Sequence, residues 1–327
     1  MPFKIITRFE NGKLDPQVTA LLDIMNSAQP PDYSKVDFTE FKETANKLFT
    51  ECYKAKRHDS VGKINDLLID SPDIKIPVRV YTPSGNGPFS VFLYIHGGGL
   101  MTCNLDTHDN ICRAFCNRAG CIVVAVDYRL SPDNKFPSGF NDVCNVFEWI
   151  IDNIMEYNGE PNSVAVGGDS GGGTLAAALA VKYSKNSKYK IVFQMLLYPS
   201  LNVSAFDTDS YCELKVGYGL SREKVQWYVD NYLADENDKY NIYASPLLND
   251  NMEGLPPAFI ITAEYDVLRD EGEQYAQKLD SAGVAVKCIR YGGLIHAFLN
   301  MDGIIGKVET VFSELSDILK YEFEQYR

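Results

Sequence analysis

The apolar run Val164-Ala165-Val166 leads into Gly168-Asp169-Ser170-Gly171-Gly172, and the helix-prone Thr174-Leu175-Ala176-Ala177-Ala178-Leu179-Ala180 follows. A strand, a serine flanked by glycines and a run of helix formers predict a strand–turn–helix. In such a turn the serine backbone is forced to φ > 0, so neighbours without side chains are needed on both sides. The hydroxyl is then projected above the end of a parallel sheet, at a helix N-terminus that favours developing negative charge. The same letters also suit a glycine-rich structural turn with an incidental serine. The rest of the chain has to decide between them.

Gly-Asp-Ser-Gly-Gly also surrounds the nucleophile of chymotrypsin-like proteases, and histidine order separates the two settings. The chain has His58, His96, His108 and His296. A chymotrypsin-type order of base, acid, serine would draft one of the first three, and none has an Ala-His-Cys setting. The alternative order of serine, acid, base leaves His296 alone, because no other histidine follows Ser170. His296 comes soon after the strand-like Val284-Ala285-Val286-Lys287-Cys288-Ile289, within Gly292-Gly293-Leu294-Ile295-His296-Ala297-Phe298. A loop histidine at one strand end can reach a serine at another.

A carboxylate is needed between them. The strand pattern Ala258-Phe259-Ile260-Ile261-Thr262-Ala263 runs into Glu264-Tyr265-Asp266-Val267-Leu268-Arg269-Asp270. Asp266, just past the strand, is placed to hold the imidazole tautomer and stabilise its charged form. Glu264 and Asp270 are the rivals. Glu264 reads as a strand-end acid, and Asp270 as the N-cap of a helix over Glu271 to Ala282.

His96-Gly97-Gly98-Gly99 follows the apolar Val91-Phe92-Leu93-Tyr94-Ile95. Glycines let backbone N–H groups approach a tetrahedral oxyanion without a Cβ in the way. Such a loop supplies half of an oxyanion hole, the N–H after the nucleophile supplying the rest, here Gly171. A hinge ending a strand is the plainer alternative. The His96 imidazole is read as tying down the loop, without a part in proton transfer.

These motifs resemble the hormone-sensitive lipase family of α/β-hydrolases, the bacterial-type esterases with HGGG and GDSAGG signatures. The likeness extends to Leu14-Asp15-Pro16-Gln17-Val18, to Asp127-Tyr128-Arg129-Leu130-Ser131-Pro132 with Phe136-Pro137, and to Tyr243-Ala244-Ser245-Pro246-Leu247. It also takes in Gly254-Leu255-Pro256-Pro257, the acid motif from Glu264 to Gly272, and His296-Ala297-Phe298. The resemblance implies Ser170 as nucleophile, Asp266 as acid and His296 as base, with an oxyanion hole of Gly97, Gly98, Gly99 and Gly171 whose donors fall on Gly98, Gly99 and Gly171. It implies a serine carboxylesterase acting on short- to medium-chain acyl esters, with dimers as the family's assembly. Three positions depart from the pattern: Gly171 for alanine, Leu100 for a bulky aromatic, and Ala297 for glycine.

At 327 residues and 45% hydrophobic, the chain can bury a core as one domain. A net charge of -13, with no basic patch of interleaved aromatics, argues against nucleic acid or an anionic membrane as partner. No signal-peptide stretch follows Met1-Pro2, and no run approaches the ~18 apolar residues of a membrane span. Eight scattered cysteines without a C-x-x-C pair fit free thiols in the cytoplasm. No metal or dinucleotide motif is present, so no cofactor is expected.

Strands are expected at 78–82, 91–95, 122–127, 163–167, 192–197, 258–263 and 285–290, and helices at 106–118, 139–156, 171–185, 270–282 and 303–325. The alternation predicts an α/β fold with a mostly parallel sheet and helices on both faces. Residues 1 to about 55, helical with a loop at Pro30-Pro31, and 203–238 fall outside it and would form a helical cap. An amidase or peptidase on the same fold stays open, as does a non-catalytic receptor. Gibberellin receptors resemble this family yet lack the catalytic histidine, which is present here.

Overall fold

A computed structural model describes residues 3–29, 31–53 and 58–326; the sequence readings at Met1-Pro2, at Pro30 and at 54–55 lie outside the described residues. The strands are β1 (Ile6–Arg8), β2 (Lys63–Asp70), β3 (Lys75–Thr82), β4 (Phe89–Ile95), β5 (Ile122–Val126), β6 (Gly159–Asp169), β7 (Phe193–Leu197), β8 (Ala258–Tyr265) and β9 (Val286–Ile295). Among the described residues they form one nine-stranded sheet in the order β1-β9-β8-β7-β6-β4-β5-β3-β2. The β2–β3 and β3–β5 pairs are antiparallel and the remaining pairs parallel. This is the α/β architecture expected, and a mostly parallel sheet rules out a chymotrypsin-like protease.

The central strands explain the layering. In β4, Phe89, Val91, Leu93 and Ile95 enter one apolar cluster while Phe92 and Tyr94 enter another. In β5 the alternation is Ile122, Val124 and Val126 against Val123 and Ala125. A strand buried on both faces needs apolar residues at every position, which is how these runs read. The first cluster is covered by α4 (Ser138–Asn153), α5 (Gly171–Tyr183) and α8 (Arg269–Ser281). The second is covered by α1 (Pro16–Ser27), α3 (Asp109–Ala119) and α9 (Val308–Glu324). Truncating Leu93, which is fully buried, to alanine would cost roughly 2–5 kcal/mol.

Two strands lie outside the sequence expectation. β1 is three residues long and pairs with β9, so the first segment is not helical throughout. β2 forms a hairpin with β3, its Asp66 opposite Arg79 and bound to it at 2.6 and 3.1 Å. Its sequence Lys63-Ile64-Asn65-Asp66-Leu67-Leu68-Ile69-Asp70 breaks the period of two, and Leu68 is left 61% exposed at the sheet edge. Helices also start later than expected at 109 and 308, where the preceding residues form turns.

The segments outside the alternation contribute α1 together with α2 (Phe38–Lys47), α6 (Asp209–Glu213) and α7 (Arg222–Tyr232). The Trp227 ring of α7 stacks on Phe38 at 5.6 Å and meets Phe41 edge-on at 4.9 Å, joining α7 to α2. From α2, Asn46 accepts the backbone N–H of Cys103 at 2.8 Å, which anchors the helix to the loop after β4.

Candidate active site

β6 ends at Asp169 and α5 begins at Gly171, leaving Ser170 between them at φ 53, ψ -122. This is the left-handed turn that the glycine pattern demands. A Cβ on Gly168 or Gly172 would collide with the carbonyl of Ile95, so the end of β4 presses directly on the elbow. The Ser170 N–H is donated to Leu197 at 2.9 Å, and the Ser170 carbonyl accepts from Thr174 at 3.2 Å. Ser170 as a whole is 9% exposed.

His296 follows the last residue of β9, and Asp266 follows β8. The Asp266 Oδ2 lies 2.7 Å from His296 Nδ1, and His296 Nε2 lies 2.9 Å from Ser170 Oγ. With Nδ1–H donated to the carboxylate, Nε2 is the nitrogen free to accept from the hydroxyl. The other oxygen, Asp266 Oδ1, accepts the Leu268 N–H at 3.0 Å, which fixes the carboxylate. Tyr198 meets the imidazole edge-on at 5.2 Å. Ala297 sits at φ 60, a left-handed position where glycine would be free of strain.

The loop after β4 has Gly98 at φ 102, Gly99 at φ 63 and Leu100 at φ 61. Gly97 differs from its neighbours: its N–H is donated to Asp169 Oδ1 at 2.9 Å, so it is not available to an oxyanion. Among the described residues no acceptor takes the N–H of Gly98 or Gly99. Gly171 stands at the first position of α5, where a helix N–H has no intrahelical partner.

Asp169 is the hub beneath this loop. Besides Gly97 it accepts from Tyr94 at 2.8 Å and faces His108 Nε2 at 3.2 Å and Asn300 at 3.4 Å. Burial works against its charge, but the nearby His108 and the bonds from His108 and Tyr94 prevail and hold the carboxyl at about 2. His96 points its Nδ1 at the Gly97 carbonyl at 2.8 Å and stacks on Tyr128 at 4.5 Å. Burial, helped by the neighbouring His108, pushes its pKa down to about 3, so it is a neutral strut.

The two rival acids are held elsewhere. Glu264 accepts from Gly12 at 2.7 Å and from Gly293 at 2.8 Å, tying the N-terminal segment to β9. Asp270 is inside the first turn of α8 and is not its N-cap; its carboxylate accepts from Ser210 at 2.7 Å.

Ser170, His296 and the glycine loop open on a cavity of about 250 Å³. Its far walls come from α2 and α7, through Phe41, Thr44, Val225, Tyr228 and Val229. Sequence reasoning did not single out Tyr94, Asn300 or Tyr228, since no local pattern reports a contact between distant elements. It weighed His108 only as a protease base. Among the described residues no group of three or more His, Cys, Asp or Glu side chains is placed to hold a metal ion, and no helix is long and apolar enough to cross a membrane.

A family model described as alpha/beta hydrolase fold matches residues 92–300, which include the glycine loop, the elbow, Asp266 and His296. The chain belongs to the α/β-hydrolase family. Among curated proteins this α/β-hydrolase is 34% identical over 309 residues to an arylesterase of Saccharolobus solfataricus, covering 94% of this chain and 99% of the relative. It is 38% identical over 263 residues to the carboxylic ester hydrolase LipN of Mycobacterium tuberculosis, covering 79% and 70%. Among solved structures, an ester hydrolase from the metagenome of Lake Arreo, complexed with a derivative of bipyridine phosphonate, superposes with a TM-score of 0.90 at 32% identity. That match covers 95% of this chain and 99% of the other. The hydrolase is therefore a carboxylic ester hydrolase of the hormone-sensitive lipase-like group, as its motifs implied.

Proposed function

We propose that this α/β-hydrolase is a serine carboxylesterase that cleaves small acyl esters through an acyl-enzyme on Ser170. The observation that carries the reading is the continuous relay from Asp266 through His296 to the Ser170 hydroxyl, at 2.7 and 2.9 Å. His296 Nε2 takes the Ser170 proton as Oγ attacks the ester carbonyl, and the carbonyl electron pair moves onto oxygen. The N–H groups of Gly98, Gly99 and Gly171 receive that oxyanion; losing one such donor typically costs about 10²–10³ in rate. When the intermediate collapses, the carbon–oxygen bond to the alcohol breaks and His296 returns the proton to the leaving oxygen. Water, deprotonated by His296, then releases the acid and restores Ser170.

The described parts of the segments at about 1–55 and 203–238 act as a cap over the strand ends. The aromatic contacts of Trp227 with Phe38 and Phe41 support this, as does the share of the lining that comes from α2 and α7. Short chains are favoured because a cavity of about 250 Å³ is below the roughly 300–1,000 Å³ that houses drug-sized ligands. Among the described residues no disulfide joins the cysteines, which supports a reducing, cytoplasmic setting. The test is hydrolysis of 4-nitrophenyl butyrate by the chain and by its Ser170→Ala variant. Turnover should be abolished in the variant; equal turnover would contradict the proposal.

A further inference from the structure

Lys224, on α7, is the one lysine or arginine among the described residues that line the Ser170 cavity. Its ammonium lies over two rings, Phe41 at 5.6 Å and Tyr228 at 5.7 Å from the centroids. Among the described residues no carboxylate bears on it, and the groups that could have neutralised it are engaged elsewhere. The Asp169 carboxylate is taken by Tyr94, Gly97 and His108. The Cys103 thiol beside it is pushed up to about 12 by burial and carries no charge. On α7 itself, Asp230 accepts from Gln226 at 2.8 Å, and Glu223 is exposed at the surface.

A cation among apolar side chains is poorly solvated, and ring faces replace only part of its hydration. Lys224 is partly buried, and this loss of contact with water lowers its pKa from the ordinary lysine range. A cation kept in that position without a protein partner is complementary to an anion brought by a ligand. The placement fits a substrate group remote from the scissile bond. Tyr228, one turn further along α7, lies so close to the oxyanion loop that a Cβ on Gly99 would come within 2.7 Å of its ring. Lys224 thus stands one helical turn behind the wall that faces the reacting carbonyl.

We propose that Lys224 forms an anion subsite, and that the preferred esters of this hydrolase carry a free carboxylate, as half-esters of dicarboxylic acids and esters of hydroxy acids do. This rests on the acyl-enzyme reading and adds the substrate class to it. The carboxylate binds as a partner for the ammonium, with no covalent step, so the subsite acts mainly on KM.

The experiment compares matched esters with the purified chain. On the acyl side, 4-nitrophenyl hydrogen adipate is set against 4-nitrophenyl hexanoate; on the alcohol side, 4-acetoxybenzoate is set against its methyl ester. Each rate is corrected with the Ser170→Ala variant as blank. The charged ester of at least one pair should have a kcat/KM at least about tenfold higher, carried by a lower KM. Lys224→Met should reduce that ratio to about one, and Lys224→Arg should keep most of it. A preference for the neutral ester in both pairs overturns the subsite, as does a ratio that survives in Lys224→Met. The wild-type ratio and the Lys224→Arg variant decide the matter even where Lys224→Met does not fold. Hydrolysis of the neutral esters without any preference for the charged ones removes the subsite alone. No hydrolysis of either class above the blank removes the acyl-enzyme reading with it.

Discussion

The backbone N–H of Gly97 is bound at 2.9 Å by the carboxylate of Asp169, 72 positions later and immediately before Ser170. One carboxylate therefore fastens the glycine loop after β4 to the turn that carries Ser170. With the Asp169 carboxyl held at about 2, the tie is charge-assisted at neutral pH. Preorganised donors stabilise a developing charge only when they are held in place before it appears. In the proposed mechanism the bond takes Gly97 out of the donor set and anchors the loop that carries Gly98 and Gly99.

Asp266→Asn keeps the size of the side chain but presents an amide to His296 Nδ1, which favours the wrong tautomer. We expect kcat on 4-nitrophenyl butyrate to fall by about 10⁴, with KM and thermal stability little changed. Steady-state kinetics together with a melting curve check this. A loss below tenfold would place the orienting acid elsewhere.

Adjacent glycines of the elbow should respond in opposite ways. A Cβ on Gly171 meets Leu100 side-chain atoms at 3.0 and 3.3 Å, a flexible neighbour that can shift. Gly171→Ala should therefore change stability by no more than about 1 kcal/mol, helped by the helix preference of alanine. A Cβ on Gly172 meets the carbonyl of Ile95 and the backbone of His96, which cannot give. Gly172→Ala should cost about 3 kcal/mol or more or yield insoluble protein, as measured by denaturant unfolding.

The proposed preference for short acyl chains rests on the cavity of about 250 Å³ beside Ser170. Release of 4-nitrophenol from acetate and butyrate esters should exceed that from palmitate by about a hundredfold or more in kcat/KM, the outcome expected of a small cavity walled by residues of α2 and α7. A palmitate rate equal to that of butyrate would show that the cavity continues into a longer channel.

Acid should destabilise the fold through His96. Its pKa is lowered from 6.5 to about 3, with burial as the main cause. The unfolded chain therefore takes up a proton that the folded one refuses. Stability contributed by the neutral imidazole is complete above pH 6.5 and is lost as the pH falls from there to about 3, over a range of several kcal/mol. Melting temperatures of the wild type should fall across that window more steeply than those of His96→Gln. Parallel curves would contradict the assignment.

The parts of the site legible in the sequence are those where local chemistry leaves few choices. Ser170 is readable because a left-handed turn under a neighbouring strand excludes Cβ atoms at 168 and 172. His296 is readable by histidine order, and the central strands by their unbroken apolar runs. What escapes depends on the meeting of distant segments. The bond between Gly97 and Asp169 has no local signature. Nor has β1, three residues whose strand character comes from pairing with β9. β2 is hidden because an edge strand half in solvent does not keep a clean alternation. Asp270 looks like a helix cap by position, yet α8 starts one residue earlier.

In the proposed mechanism a single hydroxyl, activated by His296, does the chemistry. Treatment with diethyl 4-nitrophenyl phosphate, followed by peptide mass spectrometry, asks which atom that is. One 4-nitrophenol should be released per chain and esterase activity lost in step with it. The diethylphosphoryl group should sit on Ser170, with none bound by Ser170→Ala. Inactivation with the label on another residue, or full activity in a chain labelled at Ser170, would overturn the mechanism.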